Sequence, residues 1–280
     1  MMIKEHTVVG ELKIVKIPYE HFLINKNRRI RIWTPQSYNE KSHRPYKVIY
    51  MWDGQNIFDE ATSYSGEWQV DEAIEEQERR GLQPSVVVAL DCSPDRLSEY
   101  LPSFSNIAID NLGYKGSDTL DFLVNRVMPY VESHYNVSRK RENIAIGGSS
   151  MGGLMSLAAA LFYPNIFSQI YAFSPAFPLF KYGISEEKGE SKGLNSDKAF
   201  DFVWKKMLSR EFKNKFKIVL TSGGVGMEAE YYDYVKRFEK KLLKAGWKQA
   251  NLLVLQDKNF EHNEKQWSFF FPQAYSFMNK

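Results

Sequence analysis

Apolar positions along the chain fall into two textures. Two N-terminal stretches, Leu12 to Ile17 and Arg29 to Trp33, are strand-like, and the second alternates: Ile30 and Ile32 point one way, Arg29, Arg31 and Trp33 the other. That period of two predicts an antiparallel pair across Asn25-Lys26-Asn27, at an edge with one face open to water. Farther on the apolar runs are continuous: Val48 to Met51, Val86 to Leu90, Ile144 to Ile146, Ile170 to Phe173, Ile218 to Leu220 and Leu252 to Leu255. Strands buried on both faces have that composition.

Helical patterns lie between these runs. After Ser117 as an N-cap, Leu120, Leu123, Val124, Val127, Met128 and Val131 fall on one helix face, which Pro129 should kink or divide. Trp68 to Arg80 stops at Gly81 and Tyr231 to Ala245 stops at Gly246, glycines placed to end helices. Met151 to Tyr163 is apolar nearly all round and ends before Pro164, which predicts a buried helix. Strands alternating with helices predict an α/β fold, a mostly parallel central sheet covered by helices on both faces, with the antiparallel strands at its N-terminal end. No internal repeat is evident. One region breaks the rhythm: more than forty residues separate Phe173 from Ile218. Connections of that length are commonly functional. Residues 176–213 are the candidate cap, with Phe177, Phe180 and Tyr182 as lining. The alternative is a crossover helix at Phe202-Val203-Trp204 with an irregular loop from Ser185 to Ser196.

Composition narrows the class without changing the fold. With 280 residues and 43% hydrophobic content the chain can form one sizeable domain spanning 1–280. The 37 basic and 34 acidic residues are mixed along it for a net charge of +3, which does not point to nucleic acid as a partner. The single cysteine, Cys92, excludes an intrachain disulfide framework and suits a reducing cytoplasm. Met1 to Lys16 carries Lys4, Glu5, Glu11 and Lys13 among short apolar pieces, unlike a secretory signal, and no stretch is long enough for a membrane span. Cytoplasmic residence is therefore the expectation, and oligomeric state is left open.

The chemistry centres on Gly147-Gly148-Ser149-Ser150-Met151-Gly152-Gly153, set between the run ending at Ile146 and the helix beginning at Met151. Strand, sharp turn and helix in that order put a serine hydroxyl at the sheet edge, and flanking glycines let neighbouring backbone approach. Of the two serines in this turn, only Ser150 has glycines two residues away on both sides, so Ser150 is the expected nucleophile and Ser149 a spacer. Gly189-Glu190-Ser191-Lys192-Gly193 has the same spacing but sits in a charged stretch with neither strand nor apolar helix beside it. It reads as a solvated loop.

A serine hydroxyl needs a base, ordinarily a histidine steered by a carboxylate. His6 and His21 precede the parallel strands, His43 lies in a basic turn and His134 ends a helix, whereas His262 follows the last apolar run in a polar loop. Loops after parallel strands meet at one rim, where Ser150 also sits. His262 is accordingly the expected base. The acid should follow Ile218 to Leu220, where Thr221 to Gly226 leads to Glu228, with Glu230 and Asp233 as open alternatives. Donors for an oxyanion should be the Met151 N–H and an N–H from Trp52-Asp53-Gly54-Gln55-Asn56: Gln55, with Gly54 as the neighbour that could replace it. A calcium loop is the competing reading of that segment, but it lacks the further acidic ligands.

Taken together, Met51 to Asp59, Glu67-Trp68-Gln69-Val70-Asp71-Glu72, Arg96 with Glu99-Tyr100-Leu101-Pro102, and the Ser150 turn resemble the putative-esterase branch of the α/β-hydrolases, with its esterase D-like, feruloyl, acetyl-xylan and enterochelin esterases. The resemblance covers most of the chain. It implies the α/β-hydrolase fold and a serine carboxylic ester hydrolase acting on a small-molecule ester, with no metal and no other cofactor. Trp52, Tyr100 and Phe177 are the expected substrate contacts. The chain departs from similar proteins in a longer turn from Gly223 to Glu228. An acyltransferase or thioesterase on the same machinery, and a non-catalytic binding relative, are the alternative functions.

Overall fold

The computed structural model describes residues 5–20, 26–101, 115–178, 203, 205–209 and 211–280. His21, Pro102, Phe180, Tyr182, Ser191, Phe202, Trp204 and most of the candidate cap lie outside them. One eight-stranded sheet is built from β1 (Glu11–Pro18), β2 (Asn27–Thr34), β3 (Lys47–Trp52), β4 (Ser85–Leu90), β5 (Ile144–Ser149), β6 (Gln169–Phe173), β7 (Lys217–Ser222) and β8 (Leu252–Gln256). Their order is β1-β2-β4-β3-β5-β6-β7-β8. β1 and β2 pair antiparallel, as β2 does with β4, and the remaining strands are parallel. Both the parallel runs and the antiparallel N-terminal pair follow the sequence pattern.

Within the continuous apolar runs, alternate residues serve opposite faces. Val48, Tyr50, Val86, Val88, Ile146 and Ile218 join one core. Ile49, Met51, Val87, Ala145, Tyr171 and Val219 join the other. Each fully buried aliphatic side chain contributes roughly 1.5–3 kcal/mol, so a sheet covered twice gains more than one covered once. The first core is closed by α5 (Met151–Phe162), whose residues up to Leu161 are all buried. The second is closed by α1 (Val70–Arg79) and a C-terminal helix, Glu264–Met278.

The structure departs from the sequence pattern in three places. The face of β2 expected to be open is covered beyond Arg29, which stays exposed: Trp33 is buried and donates its indole N–H to Val9 O, and Arg31 is buried against Asp91 at 2.6 and 3.2 Å. The helix expected to begin at Ser117 starts at Gly116, with Lys115 in the cap position. It runs as α3 (Gly116–Phe122), a wide π turn over Leu123–Val127 and α4 (Met128–His134); the turn precedes Pro129, which has no N–H to give. Finally, Glu264–Met278 is helical through Pro272 because its Trp267, Phe271 and Tyr275 face is buried on the sheet.

Candidate active site

Ser150 stands between the end of β5 and the first residue of α5 at φ 55°, ψ −119°. A non-glycine residue held there costs about 1–3 kcal/mol and needs surrounding structure to hold it. Its N–H donates to Phe173 O (2.9 Å), and its carbonyl accepts from Leu154 (3.1 Å) and Ala176 (3.0 Å). Tight approach explains the first glycine of the turn, since a Cβ at Gly148 would lie 2.9 Å from Trp52 Cδ1. Met151 opens α5, and its N–H meets no acceptor among the described residues.

The loops after β7 and β8 are pressed together. A Cβ at Gly223 would fall 2.2 Å from Phe260 O, and the N–H groups of Gly224 and Val225 both donate to that carbonyl at 3.0 Å. This contact accounts for the long glycine turn and delivers Glu228, at the start of α6 (Glu228–Lys244), to His262. His262 Nδ1 and Glu228 Oε1 are 2.6 Å apart. Glu228 is wholly buried and accepts also from Gln266 Nε2 on Oε1 (3.0 Å) and from the Gly223 N–H on Oε2 (2.9 Å), with the Ser174 hydroxyl as a further partner. Burial pushes its carboxyl upward, but His262, Ser174 and Gln266 outweigh that and hold it below its ordinary value. Glu230 is half-buried and Asp233 exposed; the hydrogen bond from His262 goes to Glu228.

The His262 ring lies against Tyr231 (centroids 4.7 Å) and meets the edge of Trp267 (5.2 Å). The Tyr231 hydroxyl neighbours the Ser150 side chain, so Ser150 and His262 share one tyrosine. Burial pushes that phenol up to about 12, leaving it protonated, a donor, over the working range. The other described histidines are elsewhere: His6 on Asp59 at 2.7 Å, His134 against Tyr130 and Ser133, and His43 exposed.

The loop after β3 turns at Asp53, itself left-handed at φ 59°. The Asp53 N–H donates to the Tyr100 hydroxyl (3.1 Å), and its carboxylate is gripped at 2.7 and 2.8 Å by Arg96 of the short helix α2 (Arg96–Glu99). The Gln55 side chain accepts from the Cys92 N–H (3.1 Å) and faces Cys92 Sγ (3.2 Å). The backbone N–H groups of Gly54 and Gln55 meet no acceptor among the described residues. Trp52, Tyr100 and Phe177 do not line an open surface; they are 1%, 1% and 0% exposed. Trp52 packs under the serine turn and donates to Ser156, Tyr100 braces Asp53, and Phe177 packs on Tyr234 and Phe238. Sequence reasoning missed Tyr231, Ser174 and Gln266. The signal for two of them is spacing: Tyr231 follows Glu228 by one helical turn and Gln266 follows His262 by four residues.

A mostly parallel sheet with helices on both faces and a serine turn after its fifth strand is the α/β-hydrolase arrangement. A family model described as "Putative esterase" matches residues 23–278, and the chain belongs to that family. Uncharacterized protein YbbA of Bacillus subtilis (strain 168) is 30% identical over 155 residues, 54% of this chain and 58% of that protein. The chain thus spans less than two thirds of that curated relative. Among solved structures, the BES protein from Bacillus cereus superposes with a TM-score of 0.71 at 15% identity, over 100% of this chain and 99% of that one. The CE1 ferulic acid esterase of Anaeromyces mucronatus, in complex with ferulic acid, gives 0.65 at 20% identity over 99% and 91%. S-formylglutathione hydrolase (FrmB) of Staphylococcus aureus gives 0.63 at 16% identity, with both chains fully covered. At these identities the likeness is one of fold.

Proposed function

We propose that the chain is a serine carboxylic ester hydrolase working through an acyl-enzyme on Ser150. The observation that carries this reading is the buried Glu228 carboxylate 2.6 Å from His262 Nδ1, on the same rim as the strained Ser150 turn. With Nδ1–H donated to Glu228, the other ring nitrogen is the free base that takes the Ser150 proton as Oγ attacks the ester carbonyl. Glu228 holds that tautomer and stabilises the imidazolium. The N–H groups of Met151 and Gln55, unclaimed by acceptors among the described residues, receive the oxyanion. Collapse releases the alcohol with the proton from His262, and water, activated by the same base, then cleaves the acyl-enzyme.

On this reading residues 1–280 act as one domain on a small-molecule ester, with 176–213 as the candidate cap and the cytoplasm as its place. Chromogenic short-chain esters test it. Turnover by the wild type, lost by several orders of magnitude in Ser150→Ala and His262→Ala, is expected. Unchanged turnover in either variant refutes the assignment, and diversion of product by added alcohols identifies a transferase instead.

A further inference from the structure

Buried acids in this protein are met by donors almost everywhere. Arg28 grips Glu99 at 2.7 and 2.8 Å, Arg31 grips Asp91, Arg96 grips Asp53, and Glu75 and Glu264 accept from Gln36 N–H and Asn56 Nδ2. Among the described residues only three buried carboxylate oxygens have no hydrogen-bond partner: Glu67 Oε1, Asp71 Oδ1 and Glu72 Oε2. All three belong to one cluster, in which one carboxylate oxygen from each residue lies within 4.8 Å of those of the others. Asp71 is wholly buried and Glu67 is 8% exposed.

The cluster is built by two features of the chain. Gln69, left-handed at φ 56°, starts α1 so that Asp71 and Glu72 occupy its first turn while Glu67 stands just before it. Residues of the N-terminal segment then cover it: Thr7 Oγ1 donates to Glu67 Oε2 (2.7 Å) and the Val9 N–H to Asp71 Oδ2 (2.8 Å). Each of those contacts satisfies one oxygen and leaves its twin unmet. Asp59 and Glu60 add further negative charge close to Glu67. A helix N-terminus favours a single acid only slightly, which does not offset burying several together.

We infer that Glu67, Asp71 and Glu72 form a calcium site that ties the N-terminal segment to α1. Oxygens this close can share one ion whose ligands stand about 2.3–2.6 Å away, and an all-oxygen, carboxylate-rich set suits a hard divalent cation. The site belongs to the scaffold, outside the reacting groups: Trp68, next to Glu67, packs against Trp267 with tilted rings at 5.5 Å, and Trp267 meets His262. The rival account is a proton shared between Asp71 and Glu72, whose carboxyls are within hydrogen-bonding reach of each other.

The test uses the full chain stripped with a chelator and two readouts that need no activity. Terbium should give tryptophan-sensitised emission that calcium displaces. Calcium at a hundredfold excess over its Kd should raise the melting temperature by roughly 5 °C. Asp71→Asn and Glu72→Gln should each raise the Kd read from terbium displacement about tenfold or more and cut the melting shift at the same calcium concentration to about half or less, since ligand charge sets affinity. Glu72 is only half-buried, so its variant decides the matter should Asp71→Asn fail to fold. Absence of both responses in the wild type overturns the inference in favour of the shared proton. Responses unchanged in a folded variant overturn it by placing the ion elsewhere.

Discussion

Two buried acidic sites flank the Trp68–Trp267 pair, and they are built on opposite principles. At Glu228, donors from three segments converge on one carboxylate; at Glu67, Asp71 and Glu72, three carboxylates converge and half their oxygens find nothing. Burial is the first influence on both. At Glu228 the donors overcome it and hold the carboxyl down, whereas burial pushes Glu67 up to about 7 and Asp71 upward as well. A satisfied carboxylate can stay charged without any ion and can orient a histidine. The inferred calcium would supply at the second site what protein donors supply at the first, which is why one site reads as chemistry and the other as a fastening.

The largest break in this contrast is Glu228→Gln. Glutamine offers one acceptor oxygen where three donors point, so its amide N–H₂ must face another donor. Ester turnover should fall roughly a hundredfold or more, and stability should drop by about 1–3 kcal/mol from the mismatch. Glu230→Gln and Asp233→Asn should be mild in both assays. Parallel kinetics and melts on the three variants decide whether Glu228 is the acid.

A smaller effect is expected in acid. Because the folded state lowers the Glu228 carboxyl below its ordinary 4.5, its ionised form contributes stability that is fully present above the unfolded value. That contribution is lost as pH falls through the lowered folded value. Melting temperature followed downward from pH 6 should therefore decline less steeply in Glu228→Gln than in the wild type, and equal slopes would mean that Glu228 is not held charged. Smallest of all should be Tyr231→Phe. It keeps the ring against His262 and removes only the hydroxyl beside Ser150, so turnover should fall by about tenfold or less. A loss as large as that of His262→Ala would make Tyr231 a participant in the reaction.

Much of this was legible in the chain. Six continuous apolar runs announce strands covered on both faces, which holds for five of them while β8, at the sheet edge, is buried only at Leu252; the glycine register singles out Ser150 within one of the turns that follow. Strand order then leads to His262 and Glu228, because loops after parallel strands share a rim. What pairwise pattern could not convey was coverage. Trp52, Tyr100 and Phe177 look like binding aromatics in a motif, yet each is enclosed by its neighbours. Arg31 and Trp33 look like the wet face of an edge strand, yet Asp91 and the N-terminal segment close over them. Ser174 and Gln266 matter through hydrogen bonds to Glu228 and to each other, the latter joining the residue after β6 to the last helix at 3.0 Å across 92 residues of sequence. The carboxylates of Glu67, Asp71 and Glu72 are plain in the sequence as a motif; that their oxygens are buried and unmet is visible only in three dimensions.

The central claim is that Ser150 is the nucleophile, and a fluorophosphonate tests it most directly. Treated protein should carry one covalent label, found by mass spectrometry on the peptide containing Ser150 and absent from Ser149 and Ser191, with no label in folded Ser150→Ala or His262→Ala. A label on Ser191, or none on the folded wild type, would contradict the account.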